Sequence, residues 1–136
     1  MAEEFIDLSG VDLENTYEPT VADAGTEAEL RVISFLKDKD KNGTDYIMPF
    51  FEILEDPYAK EFGDYMPLPN SSMNPKELNK AKIRLKEFST AFGINLQGTL
   101  DVKNDVVGKT GWAILGHGKD RDGGKINNIR RYMTGA

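Results

Sequence analysis

The chain of 136 residues contains no cysteine. Disulfides, a thiolate metal site and a cysteine nucleophile are thereby excluded. Histidine is nearly absent as well: the single one, His117, stands beside glycines at the end of a strand-like run, and a lone histidine is ordinarily an exposed or hydrogen-bonded side chain rather than a catalyst. No serine sits in a nucleophile-elbow context, and there is neither a phosphate-binding glycine loop nor an HExxH helix. Long apolar runs are missing too. No segment is long enough to span a bilayer, and the opening "MAEEFIDLSG" carries acids where a signal peptide needs bases and an apolar stretch. These absences predict a soluble, cytoplasmic-type protein without cofactor or metal that binds rather than catalyses, and they leave the sequons at Asn42 and Asn70 as chance.

Positive charge is also missing from one end. Residues 1 to 29 hold nine acids and no Lys or Arg, a charge of −9. Residues 30 to 74 hold five bases and eight acids (−3), and residues 75 to 136 hold twelve bases and six acids (+6), so the total of −6 hides a basic C-terminal half. An acidic leader before a basic half points to a charged partner, usually nucleic acid; a solubilising tail and a solvated face is the plainer account of charge alone. Phe5, Ile6, Leu8, Val11 and Leu13 show no sustained period, so residues 1–29 are expected as a partly ordered leader and residues 30–136 as a single domain. Three roles are open to the leader: competing for the basic face, docking on the domain as structure, or recruiting replication or recombination proteins.

From Leu30 the pattern becomes strand-like. "ELRVISFLK" places Leu30, Val32, Ser34 and Leu36 on one side and Arg31, Ile33, Phe35 and Lys37 on the other. "DYIMPFFEIL" follows, with Ile47, Pro49, Phe51 and Ile53 as its inward set and Tyr46, Met48, Phe50 and Glu52 opposite. Pro49 cannot donate to a ladder, so a bulge or an edge position is expected there. A Pro- and Gly-dense stretch then leaves room for one short strand over 62–68. "NPKELNKAKIRLKEFSTAFG" reads as a helix with Asn74 as N-cap, Pro75 in the first turn, Glu77 completing a capping box and Gly93 as terminator. Its apolar stripe is Leu78, Ala81, Leu85, Phe88 and Phe92, and Lys76, Lys80 and Arg84 form a row expected to be solvated. "VVGKTGWAILGHG" and "KINNIRRYM" are two further strands.

The turns between strands resemble each other. In "KDKDKNGT", Asp38, Asp40, Asn42 and Gly43 imitate a calcium loop, but its twelfth position is Pro49 rather than a bidentate acid, so a hairpin turn at Asn42-Gly43, both of which tolerate the positive φ of a tight turn, is expected. "GKDRDGGK" closes the last hairpin at Asp122-Gly123-Gly124. Asp38, Asp40, Asp120 and Asp122 read as solvated tip residues, while the interleaved Lys39, Lys41, Lys119, Arg121 and Lys125 can reach phosphates. Strand, strand, short strand, helix, strand, strand is the order of an OB-fold, a five-stranded antiparallel Greek-key barrel with a helix between its third and fourth strands.

"FIDLSG", "K-x-x-NGT-x-Y" leading into "FFEIL", the helix closing on "AFGI", "GKTGWAIL" and a "G-x-IN-x-I" strand resemble phage-encoded single-stranded-DNA-binding proteins, over nearly the whole chain. The resemblance implies an OB-fold that coats single-stranded DNA in phage replication or recombination. One departure is the placement of acid: many such proteins carry an acidic tail at the C-terminus, whereas this chain ends "RRYMTGA".

A single-strand binder needs basic groups and exposed aromatic faces on which bases stack. Tyr46 and Phe50 are expected on the outer surface beside Arg31, Phe35 and Lys37. In the last strand Ile129 inward would turn Asn128, Arg130 and Tyr132 outward. Trp112 stays open, since either parity of "KTGWAIL" leaves an apolar side, and Lys109 accompanies it. Three functions compete: a sequence-tolerant single-stranded-DNA-binding protein, a protein-interaction or virion-structural module using the same aromatic strip, and a metal-dependent enzyme.

Overall fold

A computed structural model describes residues 4–96 and 98–135; residues 1–3 of the acidic leader lie outside the described residues. The elements are β1 (Glu27–Lys39), β2 (Asp45–Ile53), β3 (Phe62–Gly63), β4 (Met66–Pro67), α1 (Pro75–Phe92), a single π-turn at Val102–Val106, β5 (Thr110–Lys119) and β6 (Lys125–Tyr132). They form one open antiparallel sheet in the order β3-β2-β1-β5-β6, with β4 also on β2. β1 is long enough to serve two partners: Glu27–Arg31 pairs with β5 and Leu30–Lys39 pairs with β2. Among the described residues no helix is long and apolar enough to cross a membrane.

The helix begins and ends where local chemistry dictates. Asn74 Oδ1 accepts from Glu77 N at 2.8 Å, satisfying one orphan N–H of the first turn, and Asn74 Nδ2 donates to Glu77 Oε1 at 2.7 Å, tying the two side chains together. Gly93 adopts the left-handed conformation at φ 65°, which stops the helix. Ala81, Phe88 and Phe92 are buried, and Leu78 and Leu85 half-buried, as the stripe predicts. Close approach of α1 to β5 depends on Gly111, where a Cβ would meet the Ala91 carbonyl oxygen at 2.6 Å. Phe51 sits at the centre of the core, with ring centroids of Phe92 at 5.4 Å, Phe62 at 5.7 Å and Phe88 at 6.3 Å. Truncating so central a ring to alanine costs about 3–5 kcal/mol in comparable cores.

Ile47, Pro49, Phe51 and Ile53 all point inward as expected. Pro49 is accommodated without a bulge in its own strand. Its carbonyl accepts from Asp64 N at 3.0 Å, so its ring nitrogen faces the interruption between β3 and β4, where no ladder donor is required.

Two bulges lie elsewhere and overturn the expected parity downstream of them. In β1 the register passes from Val32↔Phe51 to Ser34↔Phe50, leaving Ile33 as the extra residue. Phe35 therefore stands opposite buried Pro49 and packs against the core, and Lys37 stands opposite buried Ile47, while Ser34 and Leu36 turn outward. In β6 the register passes from Leu115↔Ile129 to Ile114↔Arg131, leaving Arg130 as the extra residue. Ile129 is buried and Asn128 and Arg130 are exposed, as expected, but Tyr132 returns to the interior at 1% exposure.

Side chains join the two ends of the sheet. Tyr132 Oη donates to Asp64 Oδ2 at 2.5 Å, and Arg84 Nη2 donates to Asp64 Oδ1 at 3.0 Å and to the Ile129 carbonyl at 3.1 Å. The Arg84 guanidinium also lies 4.8 Å from the centroid of the Tyr132 ring. Arg84 is thus half-buried in a junction, whereas Lys76 and Lys80 of the same row are exposed. Nearby, Lys60 Nζ donates to the Lys125 carbonyl at 3.1 Å.

The leader is tied to the domain before β1 begins. Tyr17 stacks on Tyr58 at 4.3 Å, Thr20 Oγ1 donates to Asp56, and Asn127 Oδ1 accepts from Ala22 N at 2.9 Å. Phe5, Ile6 and Leu8 stay exposed, so docking runs through residues 17–26 rather than through those apolar side chains.

Burial, with the charge of Asp64 beside it, raises the Tyr132 phenol well above its ordinary value of 10.0. The folded chain holds this proton more tightly than the unfolded chain, so the contribution is whole below pH 10 and is lost as pH rises through the raised value. Tyr132→Phe is expected to cost about 1.5–3 kcal/mol at neutral pH through the lost bond to a carboxylate. Thermal unfolding followed above pH 10 should show a shallower alkaline decline in the variant than in the wild type.

Candidate nucleic-acid interface

Alternation along β2 puts Tyr46, Met48, Phe50 and Glu52 on the outer face, all half-buried. Successive outer residues of a strand lie about 6.6 Å apart, so three of these form a row of apolar surface along the strand. The row is held down by β3 and its neighbour. Gly63 of β3 stands opposite Phe50, and a Cβ there would fall 2.6 Å from Met48 Cε and 3.0 Å from Phe50 Cδ1 and Cε1, so the ring lies flat over the glycine. At the other end of the row Tyr46 meets Tyr65 with ring centroids 4.8 Å apart.

Phe50, Met48 and Gly63 form one wall of a groove of about 360 Å³ whose other wall is the β5–β6 hairpin, through Gly118, Lys119, Arg121 and Asn128. Asn128 reaches this wall because β5 offers glycines beneath it: its amide lies over Gly116 and Gly118, and Nδ2 donates to the His117 carbonyl at 3.1 Å. Among the described residues no salt bridge engages Lys41, Lys119, Arg121 or Lys125, and all four are exposed.

The two hairpin tips are built alike. Asp40 N donates to the Thr44 carbonyl at 2.9 Å and Asp120 N to the Gly124 carbonyl at 2.8 Å, and each aspartate Oδ1 accepts two backbone N–H groups across its turn. Within the two tips positive φ falls on Gly43 (79°) and Gly123 (83°) and not on Asn42. The backbone N–H of Thr44 lowers the Asp40 carboxyl below its ordinary value, with Tyr65 Oη adding a bond at 2.9 Å; that of Gly124 does the same for Asp120. Both carboxylates are engaged by their own turns, while the basic side chains between them project.

The expected site residues distribute as follows. Phe50, Lys119, Arg121 and Asn128 meet in the groove; Lys125 stands at the hairpin end of β6, and Tyr46 begins the aromatic row. Lys39 and Lys41 lie at the β1–β2 tip, Lys39 with Asp45 at 2.9 Å, and Arg31 is on the outer face with Glu52 at 2.7 Å. Arg130 is exposed on β6. Trp112, 42% exposed, stands across from Glu29, and Lys109 accepts from Val32 N, so both lie on the β5 side of β1 and away from β2. Phe35 and Tyr132 leave the outer set for the register reasons given above, and Lys37 shares the Phe35 side of β1 while remaining exposed. Sequence reading missed Gly63 and Tyr65. Alternation through "FGDYM" would have found them, since Phe62 and Met66 are buried and Gly63 and Tyr65 fall on the other face. His117 is exposed, its Nε2 donating to the Ala22 carbonyl at 2.7 Å.

Gly63→Ala should force the flexible ends of Met48 and Phe50 outward at a cost of about 1 kcal/mol. The Phe50 ring resonances are expected to shift with the fold intact; unmoved resonances would show that the ring does not rest on β3.

Comparison of the chain with models of protein families and with curated proteins gives no match.

Proposed function

We propose that this protein binds single-stranded DNA with little sequence preference, as an OB-fold protein of the phage-encoded type, covering exposed strands during replication or recombination in the host cytoplasm. What supports the reading most is the convergence of Phe50, Asn128, Lys119 and Arg121 on one groove beside an aromatic row. A flat ring offers every base a stacking surface, and unpaired bases at the rim reach phosphates; neither reads base edges, so the binding is sequence-tolerant. The element order, with α1 after the two short strands β3 and β4 and before β5, supports the OB-fold reading. In that reading the edges of β3 and β6 face each other as the closing seam of a barrel, joined by the Asp64 junction. The protein acts by binding alone, without catalysis or cofactor.

Exposed Leu36 and Trp112 favour a second reading, in which the outer face meets another protein. Salt separates the two. With Lys41, Lys119, Arg121 and Lys125 as four phosphate contacts, log K for oligo-dT should fall against log salt with a slope of roughly −3, whereas an apolar protein contact has no such dependence.

Fluorescence anisotropy of labelled oligo-dT at several salt concentrations is the test. Phe50→Ala should weaken binding roughly 5- to 150-fold, the range expected for one lost base stack, at little cost in melting temperature. Equal affinity for duplex DNA, or a flat salt dependence, would overturn the proposal.

A further inference from the structure

Exposed apolar side chains concentrate in one short segment. Phe5 is 87% exposed, Ile6 81% and Leu13 67%, with Leu8 and Val11 between them. The same segment is acidic, since residues 1–18 hold six Asp and Glu and no Lys or Arg. So much apolar surface held in water on a short arm marks an interaction site. The base of the arm is fixed: beside the Tyr17–Tyr58 stack, Thr20 N donates to the Tyr58 carbonyl and Lys60 N to the Thr20 carbonyl, each at 2.9 Å. Residues 4–16 therefore project from a defined point on the domain.

A surface of matching chemistry lies along α1. Leu85, Ile94, Leu96 and Pro69 line a groove of about 790 Å³, and Lys82 and Lys86 stand at its rim. It shares no lining residue with the groove of Phe50. Within one copy the arm leaves Phe5 and Ile6 in solvent, so its own groove does not cover them.

We propose that the acidic arm, residues 4–13, docks in the α1 groove of a second copy of this chain. Phe5 and Ile6 supply the apolar filling, and Glu4 and Asp7 lie against Lys82 and Lys86. The contact is heterologous: each copy gives an arm to one neighbour and receives an arm from another, leaving an arm free at one end of the assembly and a groove at the other. Copies can therefore add one after another, as a protein that covers a long polymer would require. The association itself needs no nucleic acid.

Sedimentation of the full chain, without DNA, over a range of concentrations tests this. The wild type should self-associate, while Phe5→Ser/Ile6→Ser and Lys82→Glu/Lys86→Glu should each associate at least about tenfold more weakly, as expected for losing burial of one large apolar side chain or reversing its charge partner. Mixing the two variants is the decisive arm. The first keeps a working groove and the second a working arm, so an equimolar mixture should form a one-to-one heterodimer that does not grow further. A misfolded variant could not complement in this way. A wild type that stays monomeric, variants that associate as the wild type does, or a mixture that remains monomeric would each overturn the proposal.

Discussion

One carboxylate holds the two ends of the sheet together. Asp64 lies between β3 and β4 on one edge, and it accepts from Tyr132 at the end of β6 on the other edge and from Arg84 of α1. β3 and β6 are the two edges of the open sheet, and exposed edges of an antiparallel sheet invite pairing with other chains. The junction has low exposure, with the Asp64 side chain 11% accessible and that of Arg84 29%, so each charge depends on its partner. The candidate interface depends on it as well. Its groove has β2 and β3 on one wall and the β5–β6 hairpin on the other, and the bond from Tyr132 to Asp64 ties β6 to the turn beside β3.

How far the sequence reveals this depends on how local each signal is. The helix was legible to the residue at both ends, because Asn74, Pro75, Glu77 and Gly93 act through bonds within one turn. The inward set of β2 was legible because no bulge interrupts that strand. The positions of Phe35 and Tyr132 were not, since each follows a bulge and one extra residue sends every later side chain to the opposite face. Ile33 and Arg130 carry no turn signal that would announce them. Arg84 sits in a row with Lys76 and Lys80, and only the fold brings Asp64 and Tyr132 to it.

The calcium-like and turn-like features of the two hairpins have one physical explanation. Asp40 and Asp120 are spent on backbone N–H groups that shape the turns, and glycine takes the one left-handed position in each. An acid is therefore needed at the base of each tip for structural reasons, and bases between the acids are left to face solvent. This arrangement lets a chain with a net charge of −6 present cations at two tips beside an aromatic row. Arg31 and Lys39, by contrast, are held in ion pairs with neighbouring strand residues, and exposed pairs of this kind contribute little and are easily exchanged for a phosphate.

The central claim is that a single strand lies in the groove between β2–β3 and the β5–β6 hairpin. The most direct measurement is the change in backbone amide resonances as oligo-dT is added to the labelled protein. The account predicts shifts at Phe50, Gly63, Gly118, Lys119 and Asn128 and at both hairpin tips, with the amides around Lys109 and Trp112 unmoved. Shifts centred on Trp112 or on α1, or no shifts at all, would contradict it.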